Sequence, residues 1–162
     1  MEMMNMDVTL VSKDRFTFVG LSTTCPFSEL SIEVPKLWKQ LELRKDEILH
    51  RTDTNYRVEL FLGREGDIFT EAVGFVVEEN SPVPEGMIKV SVPSYRYAAL
   101  SHRGPDVQQS YSKVFQWIKE NGYTIAPYLE AFHHIEWYPE HTFRESGDMK
   151  EPEFEIYVRI LE

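Results

Sequence analysis

The chain has 162 residues, enough for one domain with a substantial core. Its 17 Lys and Arg face 27 Asp and Glu, and the net charge of −10 disfavours direct nucleic-acid binding because phosphates would be repelled. One cysteine, Cys25, excludes an intrachain disulfide. Neither a signal peptide over Met1 to Asp7 nor a membrane-spanning apolar stretch is present, so we expect a cytoplasmic protein without a membrane partner.

The first half predicts a strand, a helix and two strands. In chain order these are a strand over Phe16 to Leu21, a helix over Ser28 to Leu43, and strands over Tyr56 to Leu62 and Phe69 to Val77. Pro35 is expected at the start of the regular part of the helix, with Ile32, Leu37 and Leu41 facing inward. The segment Asn80 to Gly86 holds two prolines and a glycine, which favours a link between halves.

The second half predicts the same order of elements. A long strand over Met87 to Ser101, bent at Pro93-Ser94, precedes a helix, and two strands follow over Ile135 to Tyr138 and Phe154 to Ile160. Asp106 caps the helix with Gln109 three residues later, as in a capping box. Its apolar stripe comprises Tyr111, Val114, Phe115 and Ile118, and Asn121-Gly122 ends it.

A faint internal repeat relates the halves. RFTFVGLSTTCP aligns with SYRYAALSHRGP at an offset of 79 residues, which also places Trp38 on Trp117. A shift of two residues then lays Val58 to Phe61 on Ile135 to Tyr138. The repeat predicts an α+β fold of duplicated β-α-β-β units with pseudo-twofold symmetry, antiparallel sheets and a ligand cleft between the halves. The units would span residues 8–83 and 86–162 of a single domain, 1–162.

Strand alternation suggests which side chains line that cleft. Ile156, Val158 and Ile160 should pack on the helix, and each half offers a glutamate and an aromatic residue on the face that we expect to point away from its helix. The predicted lining is Phe18, Glu59, Phe61, Tyr97, Glu136, Tyr138 and Tyr157. Burial among rings should raise the pKa of a carboxylate unless a cation or donors compensate, and such a site suits a lipophilic cation. The alternative is that Glu136 lies in water at a sheet edge.

The run YRYAALSHRGPDVQQSYSKVFQWIKENGY, from Tyr95 to Tyr123, resembles the second half of the GyrI-like, or AraC-type effector-binding, domain family of bacteria. The segments EAVGFVVEENSPVPEGMIKVSVP, IEWYP and EIYVRI fit the crossover and final strands of that family. The resemblance implies the duplicated fold and a ligand cleft. Family members are often fused to helix-turn-helix modules and sense drugs or metabolites, which links them to transcription regulation and multidrug binding.

The resemblance also implies a pocket glutamate that meets cationic aromatic ligands. Spacing to the last strand and the internal repeat place it at Glu136, although the family often has FE-x-Y there and Leu129-Glu130-Ala131-Phe132 leaves Glu130 as a competitor. Since the effector domain would use the whole length, we expect a stand-alone member. It would bind small molecules; the alternatives are a hydrolase of reactive electrophilic toxins that uses Glu136, and an acidic inhibitor that docks on a protein partner, as gyrase modulators do.

We expect no cofactor. His133 and His134 are adjacent in a predicted strand and should point to opposite faces, which disfavours a shared metal. No histidine stands out as a haem ligand, although the fold is related to haem-binding SOUL proteins. Cys25 lies between a strand and a helix and is treated as incidental rather than nucleophilic.

Overall fold

The computed structural model describes residues 7–161, so Met1 to Met6 and Glu162, which belong to the predicted domain range, lie outside the described residues. The strands are β1 (Thr9–Lys13), β2 (Phe16–Pro26), β3 (Tyr56–Glu65), β4 (Ile68–Val77), β5 (Ile88–Val92), β6 (Tyr95–Arg103), β7 (Thr124–Ile125), β8 (His134–Pro139) and β9 (Glu153–Leu161). The helices are α1 (Leu30–Arg44) and α2 (Val107–Glu120). No described helix is long and apolar enough to cross a membrane.

The strands form one curled antiparallel sheet in the order β1-β6-β9-β8-β3-β4-β2-β5, with β7 beside β9. The first strand of each half pairs with a strand of the other half: β1 pairs with β6, and β5 pairs with β2. At the centre β3 pairs with β8, and Glu59 lies directly opposite Glu136. These two residues are also equivalent in the repeat, so the pseudo-twofold axis passes between them. The predicted α+β class of duplicated β-α-β-β units is confirmed.

The two-residue shift in the repeat occurs before the helices, not after them. The strands β1 and β5 match at the offset of 79, but α1 begins at Leu30 and α2 at Val107, an offset of 77. Buried Leu37 and Leu41 of α1 then correspond to buried Val114 and Ile118 of α2. The predicted equivalence of Trp38 and Trp117 is therefore wrong.

Several predicted boundaries change for local reasons. The predicted strand from Met87 to Ser101 is two strands, since the chain breaks at Pro93-Ser94 and its parts pair with different neighbours. The helix α1 begins before Pro35, which lies inside it. Ile32 is 56% exposed, so it does not face inward, whereas Asp106 accepts the predicted capping bond from the Gln109 N–H at 3.0 Å.

Two apolar cores lie on opposite faces of the sheet. The helix-side core includes Val73, Phe75, Ile156 and Val158 under the helices. The inner core fills the curled face, and its fully buried members are Phe18, Val58, Leu60, Ala72, Val92, Tyr97 and Ile135. Because both faces are apolar, an apolar strand face does not by itself identify the face that the helices cover.

Candidate functional site

Three glutamates share the helix-side face near the pseudo-twofold axis. Glu59 on β3 and Glu136 on β8 are register partners, and Glu71 on β4 lies opposite Phe61, two residues along β3 from Glu59. The helix α1 packs on β2 and β4, and α2 packs on β6, β7 and β9. The helix-side face of β3 and β8 therefore forms the floor of a groove between the helices. We call Glu59, Glu71 and Glu136 the carboxyl cluster.

Two phenols hold Glu136 in place. The Tyr111 hydroxyl on α2 donates to Glu136 Oε2 at 2.5 Å, and the Tyr138 hydroxyl donates to Glu136 Oε1 at 2.5 Å. The Tyr138 oxygen also lies 3.4 Å from Glu59 Oε1. Phenol donors favour the ionised form of the carboxyl that accepts from them. Glu136 is therefore the member of the cluster that is best stabilised as a carboxylate.

The carboxyl cluster holds protons more strongly than exposed glutamates do. Burial raises the pKa of Glu136 to about 7, although the hydrogen bonds from the two phenols lower it. Burial, together with the neighbouring charges of Glu136 and Glu71, raises the pKa of Glu59 well above its usual range. Burial also raises the pKa of Glu71, which is 8% exposed. Among the salt bridges of residues 7–161, none reaches these three carboxyls.

Aromatic rings line the groove beside the carboxyl cluster. The His134 ring stacks on Phe61 with centroids 4.8 Å apart and meets Tyr111 edge-on at 5.6 Å. The ring centroids of Tyr128 and Phe61 are 5.5 Å apart. The Arg64 guanidinium lies over one face of the Tyr128 ring, 4.3 Å from its centroid. Burial lowers the pKa of His134 to about 3, so this imidazole is neutral near pH 7. The groove therefore combines neutral rings with acidic groups.

The structure divides the seven predicted lining residues between two faces. Glu59, Phe61, Glu136 and Tyr138 lie on the helix-side face, whereas Phe18, Tyr97 and Tyr157 belong to the inner core. The prediction of one shared cavity is wrong because Glu136 lies opposite Ile156, a helix-side residue, while Tyr157 lies opposite Ile135. The competitor Glu130 is exposed and lies 3.4 Å from Arg159, away from the carboxyl cluster.

Sequence reasoning missed Glu71, Tyr111 and His134 as groove residues. Tyr111 was assigned to the apolar stripe of α2, but a tyrosine in such a stripe needs a partner for its hydroxyl, and this requirement was an available signal. Glu71 opens the apolar run Glu71 to Val77, where one buried carboxyl is unusual. For His134 no comparable signal existed.

The histidine pair does not have the geometry that strand alternation predicted. His133 precedes β8 and follows Phe132, whose φ of 66° turns the chain. As a result His133 Nδ1 and His134 Nδ1 lie 2.8 Å apart. Among the described residues no group of three or more His, Cys, Asp or Glu side chains could hold a metal ion.

The thiol of Cys25 is buried, and burial raises its pKa, which lowers its reactivity.

Comparison with known proteins identifies the family. The GyrI-like small molecule binding domain matches residues 6–160. The chain belongs to the GyrI-like family. The transcriptional regulator BrlR of Pseudomonas aeruginosa is 28% identical over 113 residues, which are 68% of this chain and 41% of BrlR, so the chain matches less than half the length of that regulator.

Solved structures share the fold of this GyrI-like domain. A protein bound to tetraphenylphosphonium has a TM-score of 0.70 at 14% identity, covering 96% of this chain and 94% of that one. The C-terminal domain of EcmrR has a TM-score of 0.65 at 18% identity, covering 96% and 98%. At these identities the likeness shows the fold alone, and the fold is that of a small-molecule-binding domain.

Proposed function

We propose that this GyrI-like domain binds a lipophilic aromatic cation in the groove between α1 and α2, with Glu136 facing the positive charge. The observation that carries the proposal is the carboxyl cluster, which lies among aromatic rings and has no salt bridge within residues 7–161. The solved neighbour that binds tetraphenylphosphonium, a lipophilic cation, agrees with this ligand class.

The physical case depends on what the groove lacks. Charged groups buried in proteins are normally paired, because an unpaired charge in apolar surroundings is costly. Here the histidines beside the cluster are neutral, and Arg57 is already held by Glu42 and Glu140. The Arg64 guanidinium lies over the Tyr128 ring and, within residues 7–161, makes no salt bridge to the cluster. A ligand that brings both a positive charge and flat apolar surface would compensate the carboxyls and contact the rings.

The role that fits this binding is sensing or sequestration of such compounds in the cytoplasm. BrlR is a transcriptional regulator, and a related domain in this chain would supply the ligand-responsive part of a similar response. The net charge of −10 disfavours direct contact with DNA, so the response would pass to another protein or end with sequestration.

The test compares a cation with a neutral molecule of the same shape. Isothermal titration with 1-methyl-4-phenylpyridinium and with neutral 4-methylbiphenyl should show tighter binding of the cation. Glu136→Gln should weaken cation binding by about 1–3 kcal/mol, roughly five- to 150-fold, since a charge-assisted contact is lost. Binding of the neutral compound should be nearly unchanged.

The matched control is Glu130→Gln, which alters an exposed glutamate outside the groove. It should bind both compounds as the wild type does. Equal affinity for the cation and the neutral compound would argue against a charge-selective site. Loss of cation binding in Glu130→Gln but not in Glu136→Gln would place the site elsewhere.

A second candidate is hydrolysis of a reactive electrophile. Glu136, with a pKa raised to about 7 and two phenols in contact, has the properties of a general acid. Product analysis with electrophilic, strained-ring compounds decides this point. Turnover by the wild type that disappears in Glu136→Gln would favour the enzyme, and saturable binding without turnover favours the receptor.

A further inference from the structure

We propose that a cation enters this groove in exchange for a proton, and that Glu59 is the residue that releases it. The inference rests on the proposed function and adds to it a proton balance and the residue responsible. In the empty site Glu59 carries the proton. When the cation binds, the O–H bond of the Glu59 carboxyl breaks, its carboxylate remains beside the cation, and the proton leaves to water.

The geometry around Glu59 places one carboxyl between two others. Glu136 lies directly opposite on β8, and Glu71 on β4 is close enough to form a side-chain hydrogen bond with Glu59. A hydrogen bond between two carboxyls requires a proton on one of them. Three neighbouring carboxylates without a proton would repel one another strongly in these apolar surroundings.

The phenol contacts make Glu136 the carboxyl least suited to keep the proton. Within the other pair, the shared hydrogen bond lowers the pKa of Glu71 and raises the pKa of Glu59, so the proton belongs to Glu59. A tyrosine hydroxyl has one proton to donate. Tyr111 and Tyr138 both donate to Glu136 at 2.5 Å, and the Tyr138 oxygen is 3.4 Å from Glu59. Glu136 thus receives two strong donors as a carboxylate, while Glu59 receives none of similar strength. Burial and the charges of Glu136 and Glu71 act in the same direction on the pKa of Glu59.

No other group around Glu59 replaces the missing positive charge. The titratable and charged groups near it include Glu136, Tyr138 and His134 on β8, Glu71 on β4, Tyr111 on α2, Cys25 on β2 and Glu42 on α1. The two cations on its own strand, β3, are Arg57 and Arg64. The histidine is neutral, and Arg57 is held by Glu42 and by Glu140. The Arg64 guanidinium lies over the Tyr128 ring and, within residues 7–161, makes no salt bridge to the carboxyl cluster. A bound ligand cation is therefore the charge that lets Glu59 ionise.

Proton exchange makes affinity depend on pH even for a ligand whose charge is permanent. Below the pKa of Glu59, affinity for the cation should rise as pH rises, by up to about tenfold per pH unit, because one proton is released per cation bound. Glu136 has a pKa of about 7, so at pH 8 most of it is already a carboxylate. Measurements at pH 8 therefore separate the proton of Glu59 from that of Glu136.

Calorimetry in buffers of different ionisation enthalpy counts the released protons. With 1-methyl-4-phenylpyridinium at pH 8, the wild type should release close to one proton per cation. Glu59→Gln should still bind the cation, through Glu136, but with proton release near zero and an affinity that no longer rises above pH 8. Glu130→Gln should release the same number of protons as the wild type.

The outcomes separate this inference from the proposed function. If the wild type does not distinguish the cation from neutral 4-methylbiphenyl, the proposed function fails. Two other results would refute the proton exchange at Glu59 and leave the proposed function standing. One is that the wild type binds the cation selectively but releases no proton at pH 8; the other is that Glu59→Gln releases as many protons as the wild type.

A measurement without ligand covers the case in which Glu59→Gln binds poorly. Infrared spectroscopy at pH 8 should show the carbonyl band of a protonated carboxyl in the wild type and its loss in Glu59→Gln, with circular dichroism confirming that the variant is folded. A wild-type spectrum without that band, or a variant spectrum that retains it, would overturn the assignment of the proton to Glu59.

Discussion

The pKa of Glu136 predicts that removing this charge stabilises the empty protein at high pH. Burial raises that pKa from 4.5 to about 7. A group whose pKa is raised by folding contributes stability below its unfolded pKa, and this contribution is lost as pH rises towards the folded value. The wild type should therefore lose stability between about pH 4.5 and 7. Glu136→Gln has no ionisable group at this position and should not show this loss.

The magnitude follows from the shift. At 1.36 kcal/mol per pKa unit, the upper bound is roughly 3 kcal/mol, and partial solvent access to this half-buried carboxyl reduces it. We expect Glu136→Gln to have a free energy of unfolding about 1–3 kcal/mol above that of the wild type at pH 8. At pH 4.5, where Glu136 is protonated in the folded wild type and about half protonated in the unfolded chain, the difference should be small.

Urea unfolding followed by circular dichroism at pH 4.5, 6, 7 and 8 measures this difference. Glu130→Gln, altered at an exposed site, should follow the wild type throughout. Two results would refute the argument that burial of the Glu136 carboxylate destabilises the fold. One is a Glu136→Gln protein that is less stable than the wild type at pH 8; the other is a difference in free energy of unfolding that does not grow with pH.

Two predictions concern the fold. Trp38 is 3% exposed and Trp117 is half-buried. Trp38→Ala should therefore lower the free energy of unfolding by about 3–5 kcal/mol and Trp117→Ala by about 1–2 kcal/mol; equal losses in urea unfolding would contradict this difference in burial. A Cβ on Gly74 would lie 2.2 Å from a backbone oxygen of β2, whereas one on Gly66 would meet nothing within 4 Å. Thermal unfolding should therefore show a much larger loss for Gly74→Ala than for Gly66→Ala.

The sequence was sufficient to predict the two units, because the helix caps, the strand runs and the repeat are local signals. The capping bond from Gln109 to Asp106 is an example that the structure confirms. It was not sufficient to show that β1 and β5 exchange between the halves, since that pairing depends on contacts distant in sequence.

The structure places the predicted glutamates Glu59 and Glu136 together, but on the face opposite to the one predicted. Alternation correctly placed Glu59 with Phe61 and Glu136 with Tyr138, and correctly placed Ile156 towards the helices. It could not supply the register between β8 and β9, and a shift of one residue reverses which side chains share a face. Tyr157 was for that reason grouped with Glu136, although it fills the inner core.

Locating a bound cation tests the central claim most directly. A crystal structure with tetraphenylarsonium, whose arsenic scatters anomalously, should place the arsenic between α1 and α2, within about 6 Å of a ring on the groove, as cation–π contact requires. It should lie on the side of the sheet that carries Glu136. An arsenic peak in the inner core beside Tyr97 and Tyr157, or outside the sheet altogether, would contradict the account.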